Sequence, residues 1–244
     1  MEDKIVVVEI ENLKKSFGNN HVLKDISLQI FKGENLVVLG RSGTGKSVLI
    51  KCLVRLLHSD EGKMIVLGEN VNELNEDKLD KLRTKIGFLF QSGALYDSMT
   101  VRENLEFPLR LLPRKEREQL YSRVPEVLKN VGLSEAIDKM PSELSGGMRK
   151  RIGLARTLIL RPEIILYDEP TTGLDPITAK EISYLILDVQ KKYNTTSIII
   201  THDIECARIT SNRMVMLKDG LLVAEGKFSE LSVSKDKEIS SFFA

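Results

Sequence analysis

The chain has 244 residues, of which 42% are hydrophobic and 29% charged, a composition ordinary for a soluble globular protein. This length suits one large α/β domain or two small ones. The formal net charge is +1, so the sequence lacks the basic excess used to bind nucleic acid, and we expect no nucleic-acid partner.

Membrane, secretion and metal signals are weak. No apolar run reaches the about 18 residues that a membrane-spanning helix needs, and Met1–Lys4 leads into no signal-peptide core. Cys52 and Cys206 lie far apart in apolar or helical contexts, which predicts two buried, reduced thiols. The histidines lack the spacing of zinc ligands. We therefore expect a cytosolic protein, in which any work at a membrane depends on other chains to cross it.

The N-terminal third begins with strands. Val6–Phe17 and Ser27–Ile30 favour strands, and Gly18–Asn20 is a turn signal between them. Glu34–Leu39 predicts a third strand. It leads into a Gly-rich loop and then into the helix-like segment Val48–Leu57.

This Gly-rich loop fits the pattern G-x-x-x-x-G-K-[ST] and has the required strand before it and helix after it. Its residues are Gly40, Arg41, Ser42, Gly43, Thr44, Gly45, Lys46 and Ser47. The glycines let backbone N–H groups turn toward a phosphate, and the helix start adds partial positive charge. We predict that Lys46 neutralises β- and γ-phosphate oxygens and that the Ser47 hydroxyl binds Mg²⁺.

The middle of the chain, from about residue 95 to 160, has a mostly helical pattern interrupted by prolines. It predicts a helical subdomain inserted in a single domain that spans residues 1–244. Within it, Arg114–Arg117 favours a solvated helix start. Ser145, Gly146 and Gly147 precede the helical segment Met148–Leu160. These three residues could merely cap that helix, or they could form a second anion site at its start.

A carboxylate pair follows the next strand. Ile164–Tyr167 is an apolar run that ends in Asp168 and Glu169. The strand places Asp168 at the carboxyl edge of the sheet, where it can hold Mg²⁺ directly or through water. Glu169 is then the candidate general base for an attacking water. Taken alone, the two acids could also be a cap before Pro170.

The last third of the chain adds further apolar runs at Thr196–Thr201 and Met214–Lys218, separated by helix-length stretches. Such runs favour central strands of a mostly parallel sheet that is covered on both faces. The polar tail after Glu225 ends in Phe242 and Phe243, which we expect to dock on the core or on a partner.

With these motifs in this order, the chain resembles ATP-binding-cassette (ABC) ATPase subunits over essentially its whole length. The resemblance implies an α/β P-loop NTPase fold, the ABC cassette, with a mostly parallel core sheet, an N-terminal antiparallel β subdomain and an inserted helical subdomain. It also implies ATP and Mg²⁺ as ligands and a head-to-tail homodimer. In that dimer, Ser145–Gly147 of one copy meets the ATP held by the phosphate loop of the other.

The resemblance also gives roles to residues outside these motifs. Gln91, after the strand-like Ile86–Phe90, matches the Q-loop glutamine that contacts Mg²⁺ and the catalytic water. His202 matches the switch histidine that holds the γ-phosphate. Asp175 matches the loop that crosses the dimer interface, and Phe17 matches the aromatic residue that stacks on adenine. Without the resemblance, His202 and Phe17 could be structural residues.

The segment after Gln91 points to a subfamily. Its small and apolar residues are Gly93, Ala94, Leu95 and Tyr96. In this family, the surface formed by this segment receives a short helix of an integral-membrane permease. The sequence of the segment resembles that of the ATPase subunits of Mla-type phospholipid transporters, which act with MCE-domain proteins. The resemblance implies a permease docked near Gln91–Tyr96, an MCE-domain partner and a peripheral place on the cytoplasmic face of the inner membrane.

Other members of the family remain open as alternatives. Importers of amino acids or other small solutes have nearly the same core. Among non-transport ATPases, translation factors usually have two cassettes and a charged linker, and DNA-repair types insert a long coiled coil or a zinc hook. This chain has none of these features. An iron–sulfur assembly ATPase is a single cassette, so length does not exclude it.

Overall fold

The computed structural model describes residues 4–243, and Met1–Asp3 and Ala244, including both ends of the predicted 1–244 domain, lie outside the described residues. Its strands are β1 (Val6–Phe17), β2 (Asn20–Phe31), β3 (Asn35–Leu39), β4 (Glu61–Val66), β5 (Glu69–Asn70), β6 (Ile86–Leu89), β7 (Ile164–Asp168), β8 (Thr196–Thr201), β9 (Arg213–Lys218) and β10 (Leu221–Gly226). Its α-helices are α1 (Lys46–Leu53), α2 (Glu76–Thr84), α3 (Val101–Glu106), α4 (Arg114–Leu120), α5 (Arg123–Asn130), α6 (Gly146–Leu158), α7 (Pro176–Tyr193), α8 (Ile204–Thr210), α9 (Phe228–Leu231) and α10 (Lys237–Ser240).

These strands are arranged in the order β5-β4-β1-β2-β10-β9-β3-β8-β7-β6. The half that contains β9, β3, β8, β7 and β6 is parallel. The N-terminal strands β1, β2, β4 and β5 pair antiparallel, and β10 joins the two halves. The predicted fold class, a mostly parallel core sheet with an antiparallel N-terminal region, is confirmed.

The parallel strands are buried on both faces, because apolar layers cover each side. Along β3, Leu36 and Val38 join the layer that includes residues of α1 and α2. Val37 and Leu39 point the other way and join the layer that includes residues of α3, α5, α6, α7 and α8. A strand alternates its side chains between the two faces, so a doubly covered strand is apolar at every position.

The structure extends one predicted strand and shortens one predicted helix. The strand predicted at Ser27–Ile30 begins seven residues earlier, at Asn20, where a tight turn brings it alongside β1. Polar residues on its exposed face hide this first half from a search for apolar runs. The helix predicted to end at Leu57 ends at Leu53, and Arg55 just beyond it has a left-handed φ of 50°.

The segment between β6 and β7 is helical and contains α3 to α6, all within the predicted range of residues 95–160. Its α4 begins at Arg114 and buries none of its residues, as expected for a solvated helix. The helix predicted from Met148 begins earlier, at Gly146, with Ser145 as its N-cap. The division of the chain into one domain and an insert stays a prediction.

The C-terminal segment docks on the chain's own core. Phe242 and Phe243 pack against the layer that includes α6, α7 and α8. The ring of Phe243 meets Phe228 edge to face, with 5.6 Å between centroids. An ion pair of 2.6 Å between Lys218 Nζ and Glu238 Oε1 ties α10 to the end of β9.

Both cysteines are free and buried, as predicted. Burial raises the pKa of Cys52 and that of Cys206 to about 11, because a thiolate is poorly solvated in an apolar setting. Both thiols therefore stay protonated and unreactive near neutral pH. Among residues 4–243, no helix combines the length and the apolar character needed to cross a membrane.

Candidate active site

The loops that follow the parallel strands emerge together at one edge of the sheet. β3 pairs in register with β8, so that Leu39 lies beside Thr201, and β7 pairs with β8, so that Asp168 lies beside Ile200. β6 lies on the far side of β7. Because neighbouring strands end level, the phosphate loop, the Asp168-Glu169 pair, His202 and Gln91 all start from this carboxyl edge, where open α/β sheets bind ligands.

Two glycines allow the phosphate loop to take its shape. Gly45 has a φ of 100°, and a Cβ there would lie 2.9 Å from Val22 Cγ1. A Cβ at Gly40 would lie 2.7 Å from the carbonyl oxygen of Leu217. Helix α1 then begins at Lys46, and the first N–H groups of a helix have no partner within it. The loop thus presents backbone donors and a helix dipole to an anion.

The ammonium of Lys46 lies at the centre of the loop and is nearly buried. Its Nζ donates to the carbonyl oxygens of Gly40 (2.7 Å) and Arg41 (3.0 Å) and lies 3.1 Å from Glu169 Oε1. A buried cation needs hydrogen-bond partners and a counter-charge, and these contacts supply both. The same contacts hold Nζ on the cleft side of the loop, where phosphate oxygens would meet it.

Two of the three residues predicted to bind Mg²⁺, Ser47 and Asp168, are in direct contact. Ser47 Oγ donates to Asp168 Oδ1 at 2.8 Å, and Gln91 lines the same cleft. Hydroxyl, carboxylate and amide oxygens are the ligands of a hard cation, and Mg²⁺ usually takes one or two carboxylates together with substrate phosphates and water. The residues fit such an ion. Residues 4–243 contain no cluster of three His, Cys, Asp or Glu side chains that would hold a metal without a substrate.

Glu169 joins Lys46 of the Gly-rich loop to His202. One carboxylate oxygen faces Lys46, and the other lies 2.8 Å from His202 Nδ1 and 3.3 Å from the hydroxyl of Thr172. An ionised carboxylate only accepts hydrogen bonds, so Nδ1 carries the hydrogen in this contact. The other ring nitrogen is thereby left for a ligand. In the single chain the carboxylate is therefore held inside the cleft between Lys46 and His202.

A cleft of about 410 Å³ collects most of the predicted residues. The predicted residues that line it are Ser42, Gly43, Gly45, Lys46, Ser47, Gln91, Glu169 and His202. Those outside its lining are Phe17, Gly40, Arg41, Thr44, Ser145, Gly146, Gly147, Asp168 and Asp175. Gly40 and Arg41 belong to the loop itself, and together with His202 they line a smaller adjoining cavity next to Phe242.

The residues predicted to contact the partner copy form a second, separate group. A Cβ at Gly147 would lie 2.5 Å from Thr178 Cγ2, so the first turn of α6 packs closely on the first turn of α7. Asp175 caps α7 by accepting from the backbone N–H of Ile177 and of Thr178. Ser145 and Asp175 are exposed. Within one chain, this group does not line the cleft.

Phe17 lies at the end of β1, where it is exposed beside the turn into β2. The Nζ of Lys15 lies over this ring, 5.3 Å from its centroid. An exposed ring is available for stacking, and the neighbouring Val22 lines the cleft. The role of Phe17 in holding adenine stays a prediction.

Several residues of the site region had no role in the sequence interpretation. Asp203 accepts from the Thr171 hydroxyl at 2.8 Å and also caps α8, so it links the loop after Glu169 to the loop that carries His202. Lys150 reaches the backbone of Glu169 from α6. The motif Thr201-His202-Asp203 could have signalled the first, since Asp is a preferred N-cap. No sequence signal marks Lys150.

Asn104 fixes the loop after Gln91. This fully buried side chain accepts from the N–H of Tyr96 at 2.8 Å. Its Nδ2 lies 3.0–3.1 Å from the carbonyl oxygens of Tyr96, Met99 and Thr100, so its two hydrogens are shared among three acceptors. A capping box between Thr100 and Glu103 anchors the following helix. The loop is therefore rigidly built.

We expect Asn104→Ala to lower the free energy of unfolding by about 2–3 kcal/mol, because it leaves buried backbone groups without a partner. Urea unfolding followed by circular dichroism measures this change. Asn72→Ala is the matched control, since Asn72 also donates to a backbone carbonyl but is exposed. Its cost should stay within about 0.5 kcal/mol. Equal costs for the two variants would contradict the role assigned to Asn104.

The chain matches known proteins along nearly its full length. A family model described as "ABC transporter" matches residues 23–172. The "Probable ribonucleotide transport ATP-binding protein mkl" of Mycobacterium leprae (strain TN) is 42% identical over 237 residues, which cover 97% of this chain and 68% of that protein. The "Methionine import ATP-binding protein MetN" of Rhizobium johnstonii is 38% identical, over 96% of this chain and 64% of that protein. The chain thus spans about two thirds of the length of these relatives.

A solved structure has the same fold. The dimeric post-hydrolysis state of the ATP-binding cassette MJ0796, bound to ADP and Pi, aligns with a TM-score of 0.79 and 34% identity. The alignment covers 91% of this chain and 98% of that chain. At this identity the likeness extends to sequence as well as fold.

Proposed function

This chain belongs to the ABC transporter family and is an ATP-binding ATPase subunit of such a transporter, and from this premise we propose that it powers phospholipid transport through a permease at the bacterial inner membrane.

The chemistry rests on one observation, the Glu169 carboxylate held between Lys46 Nζ and His202 Nδ1. ATP phosphates bind the loop amides and Lys46. Ser47 and Asp168 would hold Mg²⁺, which would neutralise phosphate charge. Water attacks the γ-phosphorus, Glu169 takes its proton, and the bond to the ADP oxygen breaks. Gln91 orients that water. In its imidazolium form, with a hydrogen on each ring nitrogen, His202 donates to Glu169 from Nδ1 and to the γ-phosphate, where charge develops, from the other nitrogen.

Two copies of the chain complete each site in this proposal. Ser145 is the N-cap of α6, which begins with Gly146 and Gly147, and all three residues lie outside the cleft of their own chain. The first N–H groups of a helix have no partner within it. Placed against the cleft of a second copy, they supply a second set of anion donors. The similar MJ0796 cassette is dimeric, which supports a homodimer. We propose a head-to-tail pairing, because it brings Ser145–Gly147 of each copy to the cleft of the other. ATP then holds the dimer closed, and hydrolysis opens it.

The permease would dock on the surface that follows Gln91. The rings of Tyr96 and Phe107 pack at a tilt of 47°, with 4.5 Å between centroids, and Arg110 lies over the same Phe107 ring. Tyr96 remains 45% exposed on a loop that Asn104 holds in place. A rigid, partly apolar surface suits a short helix of a partner. We expect that contact to hold the chain at the cytoplasmic face of the membrane.

The cargo is the most specific part of the proposed function. The sequence of Gln91–Val101 resembles that of the ATPase subunits of Mla-type phospholipid transporters, which supports a lipid cargo and an MCE-domain partner. The names of the two relatives, ribonucleotide transport and methionine import, provide the competing cargoes. A soluble iron–sulfur assembly ATPase is the alternative outside transport.

Purification of the tagged chain from gently solubilised native membranes tests the cargo. We expect a multi-span permease, an MCE-domain protein and bound phospholipid in the mass spectra. A permease with a different binding protein would keep transport and remove the lipid. Recovery of soluble partners alone would contradict the proposed permease, MCE-domain partner and lipid cargo.

We expect Tyr96→Asp to lose the permease in this purification, because a charge cannot enter an apolar contact without a partner. Tyr184→Asp is the matched control, since Tyr184 is 48% exposed against 45% for Tyr96 and lies on α7. ATPase activity of the isolated Tyr96→Asp subunit should be unchanged. Equal permease recovery with both variants would contradict docking at Tyr96.

A further inference from the structure

A buried lysine connects the helix that begins with Ser145 to the residue that acts as general base. Lys150 lies on α6 and is 5% exposed. Its Nζ donates to the backbone carbonyl oxygen of Glu169 at 3.2 Å. Burial lowers the pKa of Lys150 below its ordinary value, and the negative charges of Glu169 and Asp168 oppose that shift. An ammonium placed here at such a cost indicates more than a packing role.

The backbone of Glu169 requires support. Glu169 has a φ of 49°, in the left-handed region that residues with a Cβ rarely adopt. A residue held there costs about 1–3 kcal/mol and persists only where its surroundings fix it. The N–H of Glu169 donates to Ile200, and its carbonyl accepts from the N–H of Thr172 as well as from Lys150. Lys150 supplies the charged contact in this set.

The position of Lys150 on α6 links its contact with Glu169 to other parts of the site. Residues three and four apart share a face of a helix, so Lys150 lies on the face of Gly146 and Gly147. The first turn of α6 also packs on the first turn of α7, where Gly147 approaches Thr178. Further along, Arg156 donates to the carbonyl oxygens of Gly93 and Ala94. One helix therefore contacts the general-base residue, the start of α7 and the loop after Gln91.

We propose that Lys150 is a positioning residue for ATP hydrolysis, which fixes the peptide of Glu169 from the helix whose start binds the nucleotide of the partner copy. The inference rests on the proposed function, since it needs Glu169 as the general base. When the dimer closes and α6 shifts, Lys150 Nζ transmits that shift to the Glu169 carbonyl. The carboxylate then takes its working position only in the closed dimer.

The test compares Lys150→Met with Arg151→Met in ATPase assays of the purified chain. Arg151 is the neighbouring cation on α6, but it faces Glu181 and the carbonyl oxygen of Val131. We expect Lys150→Met to lower kcat by about 10- to 100-fold, the effect of a misplaced catalytic group, with KM for ATP unchanged. Arg151→Met should keep the wild-type kcat. A purely structural role would lower the melting temperature and ATP affinity together with kcat.

Chemical rescue separates the lost ammonium from lost packing. Lys150→Ala removes three methylene groups and the amine, a space that matches n-propylammonium. We expect this ion to restore several-fold activity to Lys150→Ala, and n-propanol to restore none. If Lys150→Ala does not fold, Lys150→Gln keeps most of the volume and one donor without the charge, and it should show the same fall in kcat.

Each result decides the inference. A kcat within twofold of wild type in a folded Lys150→Met or Lys150→Gln overturns it, as does equal rescue by propanol. Glu169→Gln runs in the same assay. If that variant is inactive while Lys150→Met is fully active, only the present inference fails. If Glu169→Gln keeps turnover, the general-base assignment fails, and the inference fails with it.

Discussion

ATP hydrolysis by Glu169→Gln should be slower than that of the wild-type chain by about 10²–10⁴-fold, the contribution of a positioned general base. Glutamine keeps the shape of the side chain, and its amide oxygen can still accept from Lys46, so ATP binding should persist. The carboxylate that takes a proton from water is the part that is lost. We expect a single-turnover assay to show bound ATP that is not cleaved.

The same variant should accumulate as a dimer in ATP, because the nucleotide that joins two copies is no longer consumed. Sedimentation velocity with and without ATP measures this directly. Glu163→Gln is the matched control, since Glu163 is an exposed acid next to the start of β7, the strand at whose other end Glu169 lies. It should turn over ATP and dissociate like the wild type. A Glu169→Gln chain that stays monomeric in ATP would count against the closed dimer.

The second large effect is expected for Lys46→Ala, in the binding of ATP itself. Each hydrogen bond from a charged donor contributes about 1.5–3 kcal/mol, and two such contacts to phosphate would be lost. The dissociation constant should therefore rise roughly 10²–10⁴-fold, and turnover at cellular ATP should disappear. Isothermal titration with a slowly hydrolysed ATP analogue and Mg²⁺ provides the measurement.

Lys51→Ala is the control for this experiment. Lys51 stands on the same helix, α1, but in its last turn, away from the phosphate loop. Its removal should leave the affinity for ATP unchanged within about twofold, because surface charges contribute little. Wild-type affinity in Lys46→Ala would contradict the phosphate-loop assignment, whereas a loss in both variants would point to a general defect in α1.

The sequence was most informative where burial is complete. β3, β7 and β8 are doubly covered, so their apolar runs were visible, and the chemical residues stand directly at their ends. The first half of β2 was missed because one face meets solvent and alternates with polar residues. β4, β5 and β10 are short or partly exposed, and for the same reason they gave no signal.

The site divides in the same way. The loop Gly40–Ser47 and the acids Asp168 and Glu169 are local in sequence and could be recognised as motifs. The place of Ser145–Gly147 could not be derived from one chain, since these residues lie apart from its cleft. Lys150 depends on how α6 packs against the end of β7, a tertiary contact that no spacing encodes. The docking of Phe242 on the chain's own core is a contact of the same kind.

The loop from Gly93 to Thr100 has a mechanical consequence. The Asn104 side chain is hydrogen-bonded to the backbone of Tyr96, Met99 and Thr100. Arg156 donates to the carbonyl oxygens of Gly93 and Ala94. A segment held at so many points has little compliance, so a push on Tyr96 moves the whole loop instead of bending it. In the proposed transporter, a push from the permease would pass through Arg156 into α6 and through Lys150 to Glu169. The loop would therefore transmit a displacement as a rigid element, without absorbing it by bending.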